Sequence, residues 1–163
     1  AFDPGLPGAA MDIARAVTLR YDNDAVIHPS LLRMLFNEFF DRLCLVSSCT
    51  AFTGLPAGEY EIEGHTVTKA RRQIFYEDGR DAGSAMFLDD CIQNVMGMGA
   101  LPFPLAVYAA TEIPAKILGL YDEIGSIAVG KRADLAVLDL HSYEVKSVFQ
   151  SGRLTYDERK NHD

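Results

Sequence analysis

Pro29-Ser30 opens a segment in which Leu31, Leu35 and Phe39 form one column and Leu32, Phe36 and Phe40 the adjacent one. The i, i+4 spacing predicts a helix with a broad apolar stripe. Asp41-Arg42 breaks it, and Leu43-Cys44-Leu45-Val46 follows as an uninterrupted apolar run of the kind found in parallel strands covered on both faces. Upstream, Ala14 to Leu19 is a short apolar segment ending in the polar turn Tyr21-Asp22-Asn23-Asp24, and Ala25-Val26-Ile27 is a second extended stretch that stops at His28-Pro29. Strand, helix and strand in this order are the repeating unit of an α/β fold.

From Phe52 to Ala82 the pattern changes. Gly54, Gly58, Gly64 and Gly79 punctuate segments in which Tyr60 and Ile62, Thr66 and Thr68, then Ile74 and Tyr76 alternate, which predicts short antiparallel strands. Asp89-Asp90 can cap a helix carrying Ile92, Val95 and Met96. The break at Gly97-Met98-Gly99 precedes a second helix introduced by Pro102 and Pro104; Ile113-Pro114-Ala115 bends or restarts it, and Gly119 suits a left-handed cap. Ser126 to Lys131 then reads as a strand into a turn, Ala133 to Leu140 as a buried strand and Val145 to Phe149 as another. The charged residues Asp157 to Asp163 read as a frayed tail.

Composition narrows the class. The 163 residues are 48% hydrophobic and 23% charged, enough apolar surface to offset chain entropy in one compact unit, alone or with an appendage. The net charge of −8 would repel a phosphate backbone or an anionic bilayer, so neither nucleic acid nor membrane is expected as a partner. No stretch approaches the roughly 20 apolar residues of a membrane span. Cys44, Cys49 and Cys91 have neither paired nor metal-type spacing, which fits a reducing cytoplasm. The start at Ala1-Phe2-Asp3-Pro4-Gly5, without Met, reads as a cleaved or truncated product, with Met removal from an authentic start as the alternative.

Several stretches carry a resemblance. Ile113 to Leu120 (IPAKILGL), followed by Ile124 to Asp139 (IGSIAVGKRADLAVLD), resembles the closing signature of the amidohydrolase superfamily. Gly54 to Gly64 (GLPAGEYEIEG) and Asp78 to Ser84 (DGRDAGS) resemble the inserted hairpin of the N-acetylglucosamine-6-phosphate deacetylases, and Asp3 to Ala10 (DPGLPGAA) a segment that follows their metal-binding histidines. The resemblance runs from Phe2 to about Arg153 and corresponds to less than half of a full-length member. It implies an α/β fold: the C-terminal part of a (β/α)8 barrel with an inserted β-hairpin and part of a small β-sandwich. The expected divisions are residues 1–50 (late strand-helix-strand part of the barrel), 51–84 (hairpin), 85–120 (barrel-end helices), 121–155 (sandwich portion) and 156–163 (tail).

The same resemblance implies metal-dependent hydrolysis of the acetamide of an amino-sugar phosphate. The family uses a divalent metal, zinc or iron, whose ligands are expected upstream of this chain, so no metal is expected within it. A strand-end Asp takes a proton from water and returns it to the departing amine. The departures fall on these positions. Phe2 stands where the family has a phosphate-binding Arg, and Asp3 where it has Glu. Asn23 to Pro29 matches the D-G-x-H-x-H-P motif only in its second His and its Pro, so the substrate-contacting His falls on Val26 and His28 and Pro29 remain. Leu45-Val46-Ser47-Ser48-Cys49 aligns with L-V-T-D-A, which places Ser48 at the catalytic Asp. A serine hydroxyl is no base without one beside it, so this chain is expected to be inactive by itself. The alternative is a degenerate, non-catalytic module with a binding or assembly role.

Other candidates are weaker. His28, His65, His141 and His162 match no ligand spacing, and the plainer reading is solvated or core-rim histidines, with His28 retained because it lies at a strand end. Ser47-Ser48-Cys49 lacks a neighbouring His and a G-x-S-x-G elbow. Gly83-Ser84 is read first as a tight turn before a helix and second as a piece of the sugar pocket. Asp22/Asp24 and Asp89/Asp90 read as turn and cap residues. Apolar surface that an upstream part would cover implies at least a dimer, or pairing with that part.

Overall fold

The structure, a computed structural model, describes residues 5–21, 27–47 and 49–160. A helix, α1 (Gly5–Ile13), opens it, an element the apolar pattern did not announce; Pro7 falls in its first turn, where a missing N–H costs little. Strand β1 (Val17–Arg20), helix α2 (Pro29–Glu38) and strand β2 (Leu43–Val46) form the expected unit, with β1 and β2 parallel in the register Val17 with Leu43 through Arg20 with Val46. Parallel pairing needs a crossover between the strands, and α2 supplies it. Of the two predicted columns on α2, the buried stripe takes Leu32, Phe36 and Phe39 with Leu35 half-buried, while Leu31 and Phe40 at the outer ends are exposed. Leu43, Cys44 and Leu45 of β2 are all buried.

Helices α3 (Leu88–Gly97), α4 (Phe103–Ala110) and α5 (Glu112–Ile117) pack on β2. Their Cys91, Val95, Ala106, Ala109 and Ile113 join Leu32, Phe36, Leu43 and Leu45 in one core. The first turn of α3 is capped by Asp90 alone, whose carboxylate accepts the Phe87 N–H at 3.0 Å. The predicted end at Gly119 is a full left-handed cap: φ is +71°, the Gly119 N–H donates to the Lys116 carbonyl and the Leu120 N–H to that of Ala115.

Between β2 and α3 stands a four-stranded antiparallel meander, β3 (Gly58–Ile62), β4 (His65–Ala70), β5 (Gln73–Tyr76) and β6 (Asp81–Ser84), in that spatial order. It is larger than the expected hairpin, and Gly83-Ser84, first read as a turn, lies in β6 against Ile74 and Gln73 of β5. Gly83 has φ of +128°, so the residue that looked like a turn marker permits an irregular edge strand. The meander has its own small core of Phe52, Val67, Ile74 and Ala85. On β4 the buried positions are Val67 and Lys69; Thr68 between them is exposed and Thr66 half-buried.

The chain closes with a three-stranded antiparallel sheet, β7 (Leu135–Leu138), β8 (Val145–Gln150) and β9 (Arg153–Asp157). Three expectations change here. Ser126 to Lys131 is no strand but a loop, pinned where the Lys131 ammonium donates to the carbonyls of Tyr121 and Ile124 and lies 3.5 Å from the centre of the Tyr121 ring. Strand β7, expected to be buried, is exposed over Leu135, Ala136 and Val137, because no second sheet lies against it among the described residues. The expected tail starts out ordered: Asp157 ends β9, which pairs with β8, and a short 3-10 turn spans Glu158–Lys160; Asp157 is buried and bonded to Arg159.

Candidate functional site

In open α/β structures the chemistry gathers at the C-terminal ends of parallel strands, and here that end is where β1 runs into Tyr21 and β2 into Ser47. Phe2, Val26 and Ser48 lie outside the described residues. His28 is exposed at the start of α2, where it is the N-cap: its backbone is extended (φ −65°, ψ 139°) and its ring Nδ1 accepts the Ser30 N–H at 3.2 Å. That bond leaves Nε2 as the protonated nitrogen of the neutral ring. Tyr21 is buried, and its hydroxyl lies 3.5 Å from the Ile27 carbonyl, which ties the β1 exit to the approach of α2.

Immediately after β2 the chain meets the end of the meander. The Cys49 thiol donates to the Met86 carbonyl at 3.2 Å, and Thr50 packs so close to Gly83 that a Cβ there would stand 3.4 Å from the threonine methyl. Ser84 is buried, with its hydroxyl donating to the Arg72 carbonyl at 3.1 Å, and the Ala85 N–H donates to the same oxygen at 2.9 Å. The Arg72 guanidinium reaches the buried Asp90 carboxylate at 2.6 Å. Ser84 thus ends up near the β2 exit, with its hydroxyl engaged by backbone. The Arg72–Asp90 pair had no local signal in the sequence, since its partners come from β5's approach and from α3.

A divalent metal does not fit these side chains. No three of His, Cys, Asp and Glu come together among the described residues. His65 sits edge-on to Tyr76 in the meander, and His141 is exposed beside Asp139 in the C-terminal sheet. The thiol of Cys44 is buried, and burial pushes its pKa up, which suits packing rather than nucleophilic work.

Comparison with known proteins fits this geometry. The amidohydrolase family matches residues 66–156, more than half the chain. The N-acetylglucosamine-6-phosphate deacetylase of Vibrio furnissii is 24% identical over 155 residues, 95% of this chain and 39% of that protein. The putative N-acetylgalactosamine-6-phosphate deacetylase of Escherichia coli (strain K12) is 26% identical over 152 residues, 93% of this chain and 90% of that protein. The crystal structure of N-acetylglucosamine-6-phosphate deacetylase from Pasteurella multocida superposes with a TM-score of 0.82 at 23% identity, over 92% of this chain and 39% of that one. The chain therefore spans about two-fifths of the Vibrio and Pasteurella proteins and nine-tenths of the Escherichia coli one. On these grounds the chain belongs to the amidohydrolase family, and it is similar to a C-terminal portion of the longer N-acetylglucosamine-6-phosphate deacetylases.

Proposed function

We propose that this chain is the late-barrel and sandwich portion of an amino-sugar-phosphate deacetylase fold, and that by itself it does not hydrolyse the acetamide. The observation that carries the reading is Ser48, two residues beyond Val46 at the end of β2 in sequence, at the position where the resemblance calls for the proton-transferring Asp. Hydrolysis of an amide needs a base to deprotonate water and an acid to protonate the amine that leaves. A carboxylate alternates between these states near neutral pH; a lone hydroxyl does not. Loss of that help alone lowers a rate by about 10²–10⁴-fold. Phe2 in place of a phosphate-binding Arg removes the charge that would hold the substrate's phosphate.

Any zinc or iron site of the intact fold is assigned to residues outside this chain, together with binding of the amino-sugar phosphate. The C-terminal sheet supports pairing with such a complement or with another copy: Ile127 and Val129 are fully exposed, and Leu135, Val137, Leu154 and Tyr156 are exposed in or beside one three-stranded sheet. A cytoplasmic location belongs to the same reading; no helix among the described residues is long and apolar enough to cross a membrane.

The test is an acetate-release assay on N-acetylglucosamine-6-phosphate and N-acetylgalactosamine-6-phosphate with added zinc or iron, run on the chain and on Ser48→Asp. Neither is expected to turn over, and the purified chain is expected to scatter light as a species heavier than 17.9 kDa. Turnover by the unmodified chain would overturn the reading.

A further inference from the structure

Residues 52 and 85 belong to one core and residues 46 and 86 to another. Phe52 and Ala85 pack with Val67 and Ile74 inside the meander, whereas Met86 lies in the α/β core and Val46 packs against it. The chain therefore leaves one packed unit and enters the other between Val46 and Phe52, and returns between Ala85 and Met86. These two crossings run side by side and are joined to each other, through the Cys49 thiol on the Met86 carbonyl and through Thr50 on Gly83. Two adjacent crossings of a few residues, each bonded to the other, make a hinge whose axis passes through them.

Beyond the hinge the meander touches the body sparingly. Its strands pack chiefly on one another, and among the described residues one ion pair bridges outward, from Arg72 Nη2 to Asp90 Oδ1 at 2.6 Å. Asp90 is buried at the start of α3 and holds the Phe87 N–H with its other oxygen, Oδ2. The carboxylate is thus fixed to the body by the helix cap, while the guanidinium arrives from the β4–β5 turn, where Arg71 has φ of +56°. A second packed unit, a two-strand hinge and, among the described residues, one charged tie describe a lobe that opens as a unit well below the free energy of global unfolding.

We propose that β3–β6 is such a hinged lobe, with Arg72–Asp90 as its latch. The hinge begins within three residues of the end of β2, beside the exposed Ser47 and Cys49. The inference stands on the packing and does not depend on whether the chain has ever hydrolysed an amide.

Native-state hydrogen exchange on the whole chain tests it. Breaking the latch with Arg72→Gln is expected to speed exchange of the β4 and β5 amides, Val67 and Ile74 among them, by about tenfold, the worth of one charge-assisted hydrogen bond. The amides of Leu43 and Leu45 in β2 and of Val95 in α3 keep their wild-type rates. Asp90→Asn retains an oxygen for the Phe87 N–H while losing the ion pair, so it separates latch from cap and is expected to give the same lobe-selective effect; Arg72→Lys restores part of the protection. Parallel acceleration of β2 and β4 amides would mean that the chain opens as one unit, and unchanged β4 and β5 rates would mean that the ion pair is no latch. Either result overturns the proposal.

Discussion

Leu43-Cys44-Leu45-Val46 and Leu135-Ala136-Val137-Leu138 are two four-residue strands of nearly the same chemistry, and they meet opposite fates. Leu43 is 0% exposed, sealed between α2 and the α3–α5 helices, whereas Leu135 is 36% and Val137 49% exposed on a sheet with no layer against it among the described residues. A strand's own side chains fix how much apolar area it offers. Whether that area leaves water depends on what is laid over it. In the α/β body β2 is packed against α3, α4 and α5, while in the C-terminal sheet Leu135, Ala136 and Val137 are exposed and hold a surface available to a partner.

The sharpest way to break this comparison is to shorten one leucine in each strand. Leu43→Ala is expected to cost about 2–5 kcal/mol, as buried leucines do when a cavity is left, and Leu135→Ala less than about 1 kcal/mol, both read from urea unfolding. A large cost at Leu135 would show that the sheet is covered in solution.

A smaller effect sits where the two regions join. Gly125 has φ of +89°, and a Cβ there would lie 2.5 Å from the Ala115 Cβ and 3.1 Å from the Thr111 carbonyl on α5. Gly125→Ala combines backbone strain with overpacking and is expected to cost about 2–4 kcal/mol. Gly130→Ala meets open space at a similar φ of +91° and carries only the strain, about 1–2 kcal/mol. Equal unfolding midpoints for the two variants would remove the close approach from the account.

The smallest effect is electrostatic and most concentrated in the C-terminal sheet, with Glu112 on α5, lowered by Lys116, and Asp78 in the meander, lowered by Arg80, as the groups outside it. The carboxyl of Asp134 is held below its ordinary pKa by the Ser151 N–H and by Arg132, that of Asp139 by the N–H groups of Ser142 and His141, and that of Asp157 by Arg159. Carboxylates with lowered folded-state pKa values add stability that is complete above the unfolded value near 4 and is lost as pH falls through the folded values. Amide exchange in β7–β9 is therefore expected to rise on going from about pH 5 to pH 3 ahead of that in β2, after correction for intrinsic rates. Asp134→Asn should reduce the pH dependence. Simultaneous loss in both regions would place the acid-sensitive groups elsewhere.

Much of this was legible along the chain. The i, i+4 columns gave α2, the apolar run gave β2, and Pro102, Pro104 and Gly119 marked helix ends where the structure has them, because caps, breaks and periodicity act within a few residues. The candidate site was legible only as residue identities: Ser48 at a strand end and the departures at Phe2 and Val26. Tertiary structure alone decided that Ser84 lies in a strand with its hydroxyl on Arg72, that His28 caps a helix, and that Arg72 reaches Asp90. It alone decided, too, that Ser126 to Lys131 is a loop and that β7 is exposed. An apolar alternating segment states a capacity to pair and to be covered. Pairing and cover come from residues tens of positions away, so they are settled only when the chain has folded and the distant partner is, or is not, in place.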